Sequence, residues 1–396
     1  MRVGRGVCAA RGRDCLWWAD SLPAKSLMAF GSRRGRQKSD RGFAPRYKNL
    51  GYGMVSGWVI LDKDAGKSSR GVGNEVRKIF GADSFGHVGT LDPMASGVLP
   101  IAIGEATKMI PYLTESSKIY EFDVIFGIRT DTDDMKGRII EEGGRVPSLA
   151  EIKAVLPRFV GKIMQVPPAF SAVHIDGRRA YQLALEGVSF EMPEREVEVF
   201  GLSAVGGFFV HPKPDEGFGV WTAEGCGSDG PIDSPEADSL PAKSLMAFGS
   251  QRGRQKSARG CAALKFKVEC SKGTYVRSLA RDIAAACGTI ATVDMIRRLQ
   301  SNGFLIGDAI KLEKLKGLVD NEPAESLKPI DYGLGGIPVF NLDNDQERVF
   351  RNGGFAKIDA GNFDDNQIFR VYSNDKFLGI GTLVDGVLRP KKVILS

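Results

Sequence analysis

The sequence predicts an α+β fold: a mixed, mostly antiparallel sheet flanked by helices, followed by a small β-rich carboxyl-terminal domain. Two observations carry that prediction. Strand-like and helix-like periods mix along residues 56–328 without the strict alternation that a parallel barrel or a doubly wound sheet requires. After "LEKLKGLVD" the chain turns to short apolar runs at close spacing, separated by Gly and Asp turns, with the boundary near Pro329.

The first regular element is "GWVILDK", a strand, and "SSRGVGNEVRKIF" follows as a short helix. Ser68 or Ser69 caps that helix, and Val72, Val76 and Ile79 share one face. "VLPIAIG" reads as a buried strand, and "KIYEFDVIFGI" alternates as a half-buried strand must. "SLAEIKAVLPRFVG" is a capped helix and "REVEVFGLSAV" a strand; "ALKFKVECSKG" is an alternating strand that runs into the helix "YVRSLARDIAAACG". The last strands are "IPVFNL", "NQIFRVYS", "KFLGIGTLVDG" and "LRPKKVIL".

At 396 residues and 42% hydrophobic composition the chain can build two domains with real cores. No apolar run is long enough to span a bilayer, and the amino-terminal stretch is too broken by charge for a signal peptide, so the protein reads as soluble and cytoplasmic. Six cysteines, Cys8, Cys15, Cys226, Cys261, Cys270 and Cys287, lack any C-x-x-C pair, which signals reduced thiols instead of a zinc site or a disulfide framework. The net charge is +6, but the first 50 residues hold 12 Lys and Arg against 3 acids, so the remainder is net negative. Nucleic-acid binding therefore has to rest on local patches.

"DSLPAKSLMAFGSRRGRQKS" at 20–39 returns as "DSLPAKSLMAFGSQRGRQKS" at 238–257 with one difference, Arg33 against Gln251. Structural repeats diverge outside their packing positions and come in larger arrays, so two near-identical copies read as a duplicated insertion. The surrounding segments, Met1 to about residue 55 and roughly 206–261, are rich in Gly, Ser, Pro and Arg without a period. Such composition predicts a disordered basic extension and a long inserted surface loop; a basic RNA-binding arm is the functional alternative for the first.

Familiar catalytic patterns fail. Gly66-Lys67-Ser68 ends like a phosphate-binding loop, but Leu61 stands where its first glycine is needed. "DTDDMKGRIIEE" spaces Asp131, Asp133 and Glu142 like a calcium loop, but Met135 and Lys136 occupy a ligand position and the turn glycine's position, so carboxylates in a turn or paired with arginine are expected. The three histidines, His87, His174 and His211, lack metal-ligand spacing and support neither Ser-His-Asp nor Cys-His chemistry. Taken singly, Asp92 before Pro93 is a turn starter, Tyr120 and Tyr275 are half-buried aromatics, and Arg277 is a surface helix residue.

Together they form a pattern. "GWVILDK", "GHVGTLDPMASGVLPIAIGEATK", "KIYEFDVIFGIRTDTDD", "PPAFSAVHIDGRRAYQLALEG", "CSKGTYVRSLARDI" and "IRRLQSNGF" follow the order seen in the TruB family of bacterial tRNA pseudouridine synthases, which the chain resembles from Ser56 to about Ile310. The resemblance implies a pseudouridine synthase fold over 56–328, interrupted by the insertion, and isomerisation of the T-loop uridine at tRNA position 55, with no cofactor and no metal. It makes Asp92 the catalytic carboxylate and Arg277 its cationic partner. It sets Tyr120 over the flipped base, where it assists proton removal from C5, and His87 where the loop is held open. Tyr275 and Ile296 become further contacts to the nucleotide; Lys63 and Asp134 match motif positions without so definite a role.

General chemistry agrees: remaking a glycosidic bond calls for an ionised, desolvated carboxylate, acting as nucleophile on sugar C1′ or base C6 or starting an elimination. A buried aspartate needs a neighbouring cation to stay charged, and a uridine must leave its stack to reach it.

The family begins shortly before "GWVILDK", which makes Met54 a candidate start and the preceding residues an extension. Phe170 and His174 stand where the family usually has tyrosine and lysine, so one basic contact to RNA is expected to weaken or to follow pH near neutrality. "FLGIGTLVDGVLRPKKVI" resembles a PUA-like RNA-binding module over 329–396, expected to grip the acceptor stem while the catalytic part takes the T arm. The expected assembly is a monomer bound to tRNA, away from membranes. A tRNA-binding protein without catalysis is the second reading, disfavoured by the presence of Asp92, Tyr120 and Arg277; a P-loop phosphotransferase is the third, and it lacks its glycine.

Overall fold

The computed structural model describes residues 55–113, 117–211, 261–319, 326–358 and 363–394. These belong to one compact unit, Pro45–Ser396. Both copies of the repeated segment and the expected amino-terminal extension through residue 54 lie outside the described residues.

In chain order, β1 (Gly57–Lys63), α1 (Ser69–Ile79), β2 (Phe85–His87) and β3 (Ser96–Ile103) lead into a 3-10 stretch, Gly104–Leu113. Next come β4 (Lys118–Phe126), the hairpin β5 (Ile128–Thr130) and β6 (Ile139–Glu142), α2 (Leu149–Val155), and β7 (Gly161–Gln165). A small hairpin, β8 (His174–Ile175) and β9 (Arg178–Arg179), precedes α3 (Ala180–Leu185). Then follow β10 (Arg195–His211), β11 (Cys261–Cys270), α4 (Val276–Ala286), β12 (Ala291–Ser301), β13 (Phe304–Leu305), β14 (Ile310–Lys311) and α5 (Leu312–Val319). The carboxyl-terminal part holds β15 (Val339–Asn341), α6 (Asn344–Arg351), β16 (Ala356–Lys357), β17 (Ile368–Ser373), β18 (Lys376–Val384) and β19 (Val387–Val393).

The main sheet has ten strands in the order β14-β1-β3-β12-β4-β11-β10-β7, with β2 on β3 and β13 on β12. The β1–β14 and β3–β12 pairs are parallel. The remaining pairs are antiparallel, which is the mixed, mostly antiparallel sheet the sequence predicts. The second sheet, β15-β17-β18-β19-β16, is curled from the carboxyl-terminal strands. No helix among the described residues is long and apolar enough to cross a membrane.

Sequence period explains which faces are covered. In β4, Tyr120, Phe122, Val124 and Phe126 point to one side, where Val72 and Val76 of α1 and Leu279, Ala280 and Ile283 of α4 meet them. β1 is buried along its whole length because both its faces are covered. Val59 and Leu61 join that first cluster, while Trp58 and Ile60 pack with Phe304, Ile380 and Ile394 of a second one that reaches into the carboxyl-terminal sheet. The Trp58 indole also donates to the Ile330 carbonyl at 2.8 Å. Each such fully buried large side chain contributes roughly 1.5–3 kcal/mol. This shared core holds the two sheets together without a large polar interface.

Helix starts follow their caps. Ser68, not Ser69, caps α1 by accepting from the Gly71 amide. Ser148 and Glu151 form a reciprocal capping box on α2, and Asp343 and Gln346 do the same on α6. Helix α6 corrects the reading of this β-rich part, which named strands and no helix there: among its eight residues just Phe350 is buried, so its apolar period is too short to register. A second correction concerns the insertion. Its predicted start at residue 206 falls inside β10, which continues after a bulge through His211 and pairs there with Cys261 of β11. Residues 212–260 lie outside the described residues.

Candidate active site

The site is built where β3 and β12 run side by side. Gly97 sits opposite Arg298 with φ +101, and a Cβ there would lie 2.2 Å from the Arg298 carbonyl oxygen, so glycine alone permits the approach. This contact brings the loop 88–95, which leads into β3, next to β12 and, beyond it, β4.

Asp92 lies on that loop. Its carbonyl accepts from the Ala95 amide at 3.0 Å, so the turn reading of Asp-Pro holds for the backbone. Its side chain does something else: Asp92 Oδ2 is 2.8 Å from Arg277 Nη2. The Arg277 side chain is 4% exposed and the Asp92 side chain 40%. Two sequence expectations are corrected here. Arg277, which taken singly reads as a surface helix residue, is buried, with its guanidinium among Thr132, Asp134 and Phe170. Asp92, expected to be desolvated, is half open.

Arg277 is held through both terminal nitrogens, while its buried Nε makes no hydrogen bond. Nη1 donates to the Thr132 carbonyl at 2.8 Å and to Asp134 Oδ2 at 3.4 Å, and Nη2 donates to the Phe170 carbonyl at 3.1 Å. Asp134 is itself buried and takes further bonds from Thr132 Oγ1 at 3.0 Å and the Lys136 amide at 2.9 Å. Burial raises the Asp134 pKa above the ordinary carboxylate value, and Arg277 acts most strongly in the opposite direction. The neighbouring Asp133, at φ +58, pairs with Arg281 at 2.8 Å. The carboxylates of "DTDD" thus go to arginines, the alternative the sequence reading kept open.

The backbone around Asp92 is clamped at three successive points. Arg298 Nη2 donates to the Gly89 carbonyl at 2.8 Å. Ser69 Oγ donates to the Leu91 carbonyl and accepts from the Leu91 amide, both at 2.9 Å. The Pro93 carbonyl accepts from the Gly66 amide at 2.7 Å and from Lys63 Nζ at 3.3 Å. Lys63 also donates to the carbonyls of Lys67 at 2.7 Å and Asp64 at 3.0 Å. Burial lowers the Lys63 pKa to about 8, opposed by Asp64 and Asp92 and assisted by Arg298. Lys63 thereby acquires a definite place, as a cation tied to the backbone of the Asp92 loop.

The other predicted residues surround this centre at different distances. His87 ends β2 with its ring Nε2 3.3 Å from Thr90 Oγ1, and burial, then Arg298 and Arg70, lower its pKa. Tyr120 is buried and stands opposite Arg298 in the β4–β12 register. Ile296 is buried one alternation before Arg298 on the same strand, and its carbonyl accepts from Ser96 Oγ at 3.4 Å. Tyr275 starts α4 two residues before Arg277; its backbone is fixed by Gln165, which donates to its carbonyl at 3.1 Å and accepts from its amide at 2.8 Å. No ion pair or hydrogen bond joins the Tyr275 side chain to Asp92. Phe170 contributes its carbonyl to Arg277, and His174 lies exposed in the β8–β9 hairpin.

Sequence reasoning missed Ser69 and Arg298. Ser69 looked like one of two candidate caps, and once Ser68 takes that role a second, buried serine is left for tertiary work. Arg298 lay inside "IRRLQSNGF", where the period of a strand puts it on the inward face with Ile296.

Comparison with known proteins follows the same lines. The model described as TruB family pseudouridylate synthase (N terminal domain) matches residues 77–208, and that described as Pseudouridine synthase II TruB, C-terminal matches residues 338–394. The tRNA pseudouridine synthase B of Brucella anthropi is 35% identical over 365 residues, covering 86% of this chain and 96% of its own length. That of Novosphingobium aromaticivorans is 40% identical over 307 residues, covering 76% and 85%. Among solved structures, a chain of a Cbf5-Nop10-Gar1 complex superposes with a TM-score of 0.55 at 19% identity, covering 86% of this chain and 85% of that one. A chain of an H/ACA RNP bound to a substrate RNA containing 2'-deoxyuridine gives 0.55 at 18% identity, with 86% and 85% covered. At such identities the structural likeness concerns the fold.

Proposed function

The chain belongs to the TruB family of pseudouridine synthases, and from that premise we propose that it isomerises the uridine at position 55 of the tRNA T loop, with Asp92 as the nucleophile. The observation that carries this reading is the Asp92–Arg277 ion pair: a carboxylate open to a substrate, on a loop clamped by its backbone, beside a buried arginine. The curated relatives named tRNA pseudouridine synthase B support tRNA as the substrate, and with it a cytoplasmic location.

In the reaction the N1–C1′ bond breaks, the base turns, C5 bonds to C1′, and the C5 proton leaves while N1 takes one up. No atom is gained or lost, and the enzyme's task is to hold the detached base and supply a charged group at each stage. The flipped uridine reaches Asp92 over the loop 88–95 and stacks against Tyr120, with Ile296 and Tyr275 bounding the pocket. Arg277 keeps Asp92 anionic as the substrate displaces water, and its own place is fixed by Asp134 and two carbonyls. His87, tied to Thr90, meets the edge of the T loop. The carboxyl-terminal module adds phosphate contacts to the acceptor stem whose strength falls with salt.

Tritium release from a tRNA transcript labelled at uridine C5 tests this. Wild type should release label, a transcript with cytidine at position 55 should not, and Asp92→Ala should bind tRNA without release. Release that persists in Asp92→Ala would sink the assignment of the nucleophile.

A further inference from the structure

Arg298 is 0% exposed, an unusual state for an arginine without an ionised partner. Among the described residues no carboxylate lies within ion-pair distance of it. Nε donates to the Val98 carbonyl and Nη2 to the Gly89 carbonyl, both at 2.8 Å, while the buried Nη1 donates no hydrogen bond. An uncompensated buried cation costs stability, and an apolar residue of like volume would fill the same space with less penalty. The charge itself therefore has work to do, and the groups around it say where. Tyr120 stands opposite Arg298 on the adjacent strand, and a Cβ added to Gly89, at φ +67, would lie 3.1 Å from Nη1.

We propose that Arg298 is a positioning residue for the isomerisation: it fixes the Asp92 loop through Gly89 and holds its cation beside Tyr120, favouring the phenolate, which, once the hydroxyl proton has passed to solvent, accepts the proton from uridine C5. This rests on the isomerase reading above. A tyrosine hydroxyl is a weak base at neutral pH, and burial makes its deprotonation harder still. The charge of Arg298 acts against that effect, whereas Cys270 of β11 and Asp92 add to it. Lys118 of β4 lies against the same glycine, with its Cε 3.3 Å from the position of a Gly89 Cβ, and adds positive charge on that side. His87 and Lys63 also feel Arg298, and both have their pKa values pushed down, by burial first and by Arg298 in addition, with Arg70 acting on His87 as well.

The test is single-turnover tritium release as a function of pH, with tRNA binding and thermal melting measured in parallel, for Arg298→Lys, Arg298→Met and Gly89→Ala. Arg298→Met should bind tRNA within about threefold of wild type, release label roughly 100-fold more slowly, and keep gaining rate at pH values where wild type has levelled off. Arg298→Lys, which keeps the charge and loses the fork, should fall between the two. Gly89→Ala, which presses a methyl on Nη1 and leaves the charge in place, should slow release at unchanged binding. In a Tyr120→Phe background, Arg298→Met should add about tenfold instead of its full effect, because the step at Tyr120 is already disabled and just the hold on the Gly89 carbonyl is left to lose. The assignment is overturned if the variants keep the wild-type pH profile, or if the losses at Tyr120 and Arg298 multiply in full. Absence of release from wild type would instead overturn the isomerase reading, whatever Arg298 does.

Discussion

Replacing Arg277 with methionine separates what the arginine does for the fold from what it does for the reaction. The substitution keeps much of the buried volume and strands the Asp134 carboxylate, whose side chain is 8% exposed. Removing one partner of a buried pair costs about 3–5 kcal/mol. The lower part of that range applies, because Asp134 keeps its bonds from Thr132 Oγ1 and the Lys136 amide. The carbonyls of Thr132 and Phe170 each lose a donor, at about 1 kcal/mol apiece. The exposed half of the arrangement, Arg277 with Asp92, contributes at most about 1 kcal/mol to folding. Together these losses reach about 5–6 kcal/mol, so a domain in the middle or upper part of the usual range of roughly 5–15 kcal/mol stays folded at 25 °C with a much lower urea midpoint. Adding Asp134→Asn removes the stranded charge and should restore about 2 kcal/mol of the loss. Activity should not follow: Asp92 still lacks its cation, so single-turnover tritium release should remain at least about 100-fold below wild type in both variants. Urea unfolding and tritium release on the same preparations decide the matter. Recovery of release along with stability in the double variant would refute a chemical role for Arg277, and an unchanged urea midpoint in Arg277→Met would refute the buried pair.

Three further outcomes follow from the same geometry. Ser69→Ala removes both hydrogen bonds to Leu91, which should cost about 1–3 kcal/mol and slow release more than it weakens tRNA binding; equal losses in rate and affinity would count against preorganisation of the loop. The folded pKa of His87 lies below its unfolded value of 6.5, so as pH falls past that value the unfolded chain takes up the proton first, and stability drops until the folded pKa is passed. His87→Gln should flatten the fall of melting temperature between about pH 7 and pH 5, and parallel curves for the two proteins would dismiss the effect. Replacing residues 212–260 with an Asn-Gly turn closes a hairpin whose last pair, His211 and Cys261, is already in register. That deletion should leave melting and tRNA modification unchanged, and an insoluble product would contradict it.

The fold was legible wherever period and caps act locally. β1, β3, β4, β11, α1, α2 and α4 all stand where alternation, apolar runs or a serine cap put them. Helix α6 was not read, although its D-x-x-Q capping box is present, because one buried residue makes no stripe. The candidate site divides differently. Asp92, Tyr120 and Arg277 were found through motifs, since nothing local distinguishes Arg277 from a solvent-facing helix residue. Its partners lie more than 100 residues away in sequence, at Thr132, Asp134 and Phe170. Ser69 escaped notice for the same reason at shorter range, its partner Leu91 lying 22 residues on. Tertiary contacts between a loop and three separate elements leave no period to detect.

On the proposed reading of Asp92 as nucleophile, its contrast with Arg277 gives the site a way to hold a charged group without a permanently dry pocket. A carboxylate buried beside nothing but apolar walls would take up a proton, and one left in water would react poorly. Here the cation is buried at folding, its desolvation met by Asp134 and two carbonyls, while the anion stays wet until a nucleoside covers it. Covering Asp92 lowers the local dielectric and strengthens its attraction to Arg277 at the moment the reaction needs it. For this to work the carboxylate must not swing away when water leaves. Arg298, Ser69 and Lys63 fix the carbonyls of Gly89, Leu91 and Pro93 from β12, α1 and β1, so the loop's ordering cost falls on folding and not on the reaction. Damage to any of these three should therefore lower the rate of the bound complex before it lowers affinity for tRNA, the pattern expected when an interaction matters in the transition state more than in the ground state.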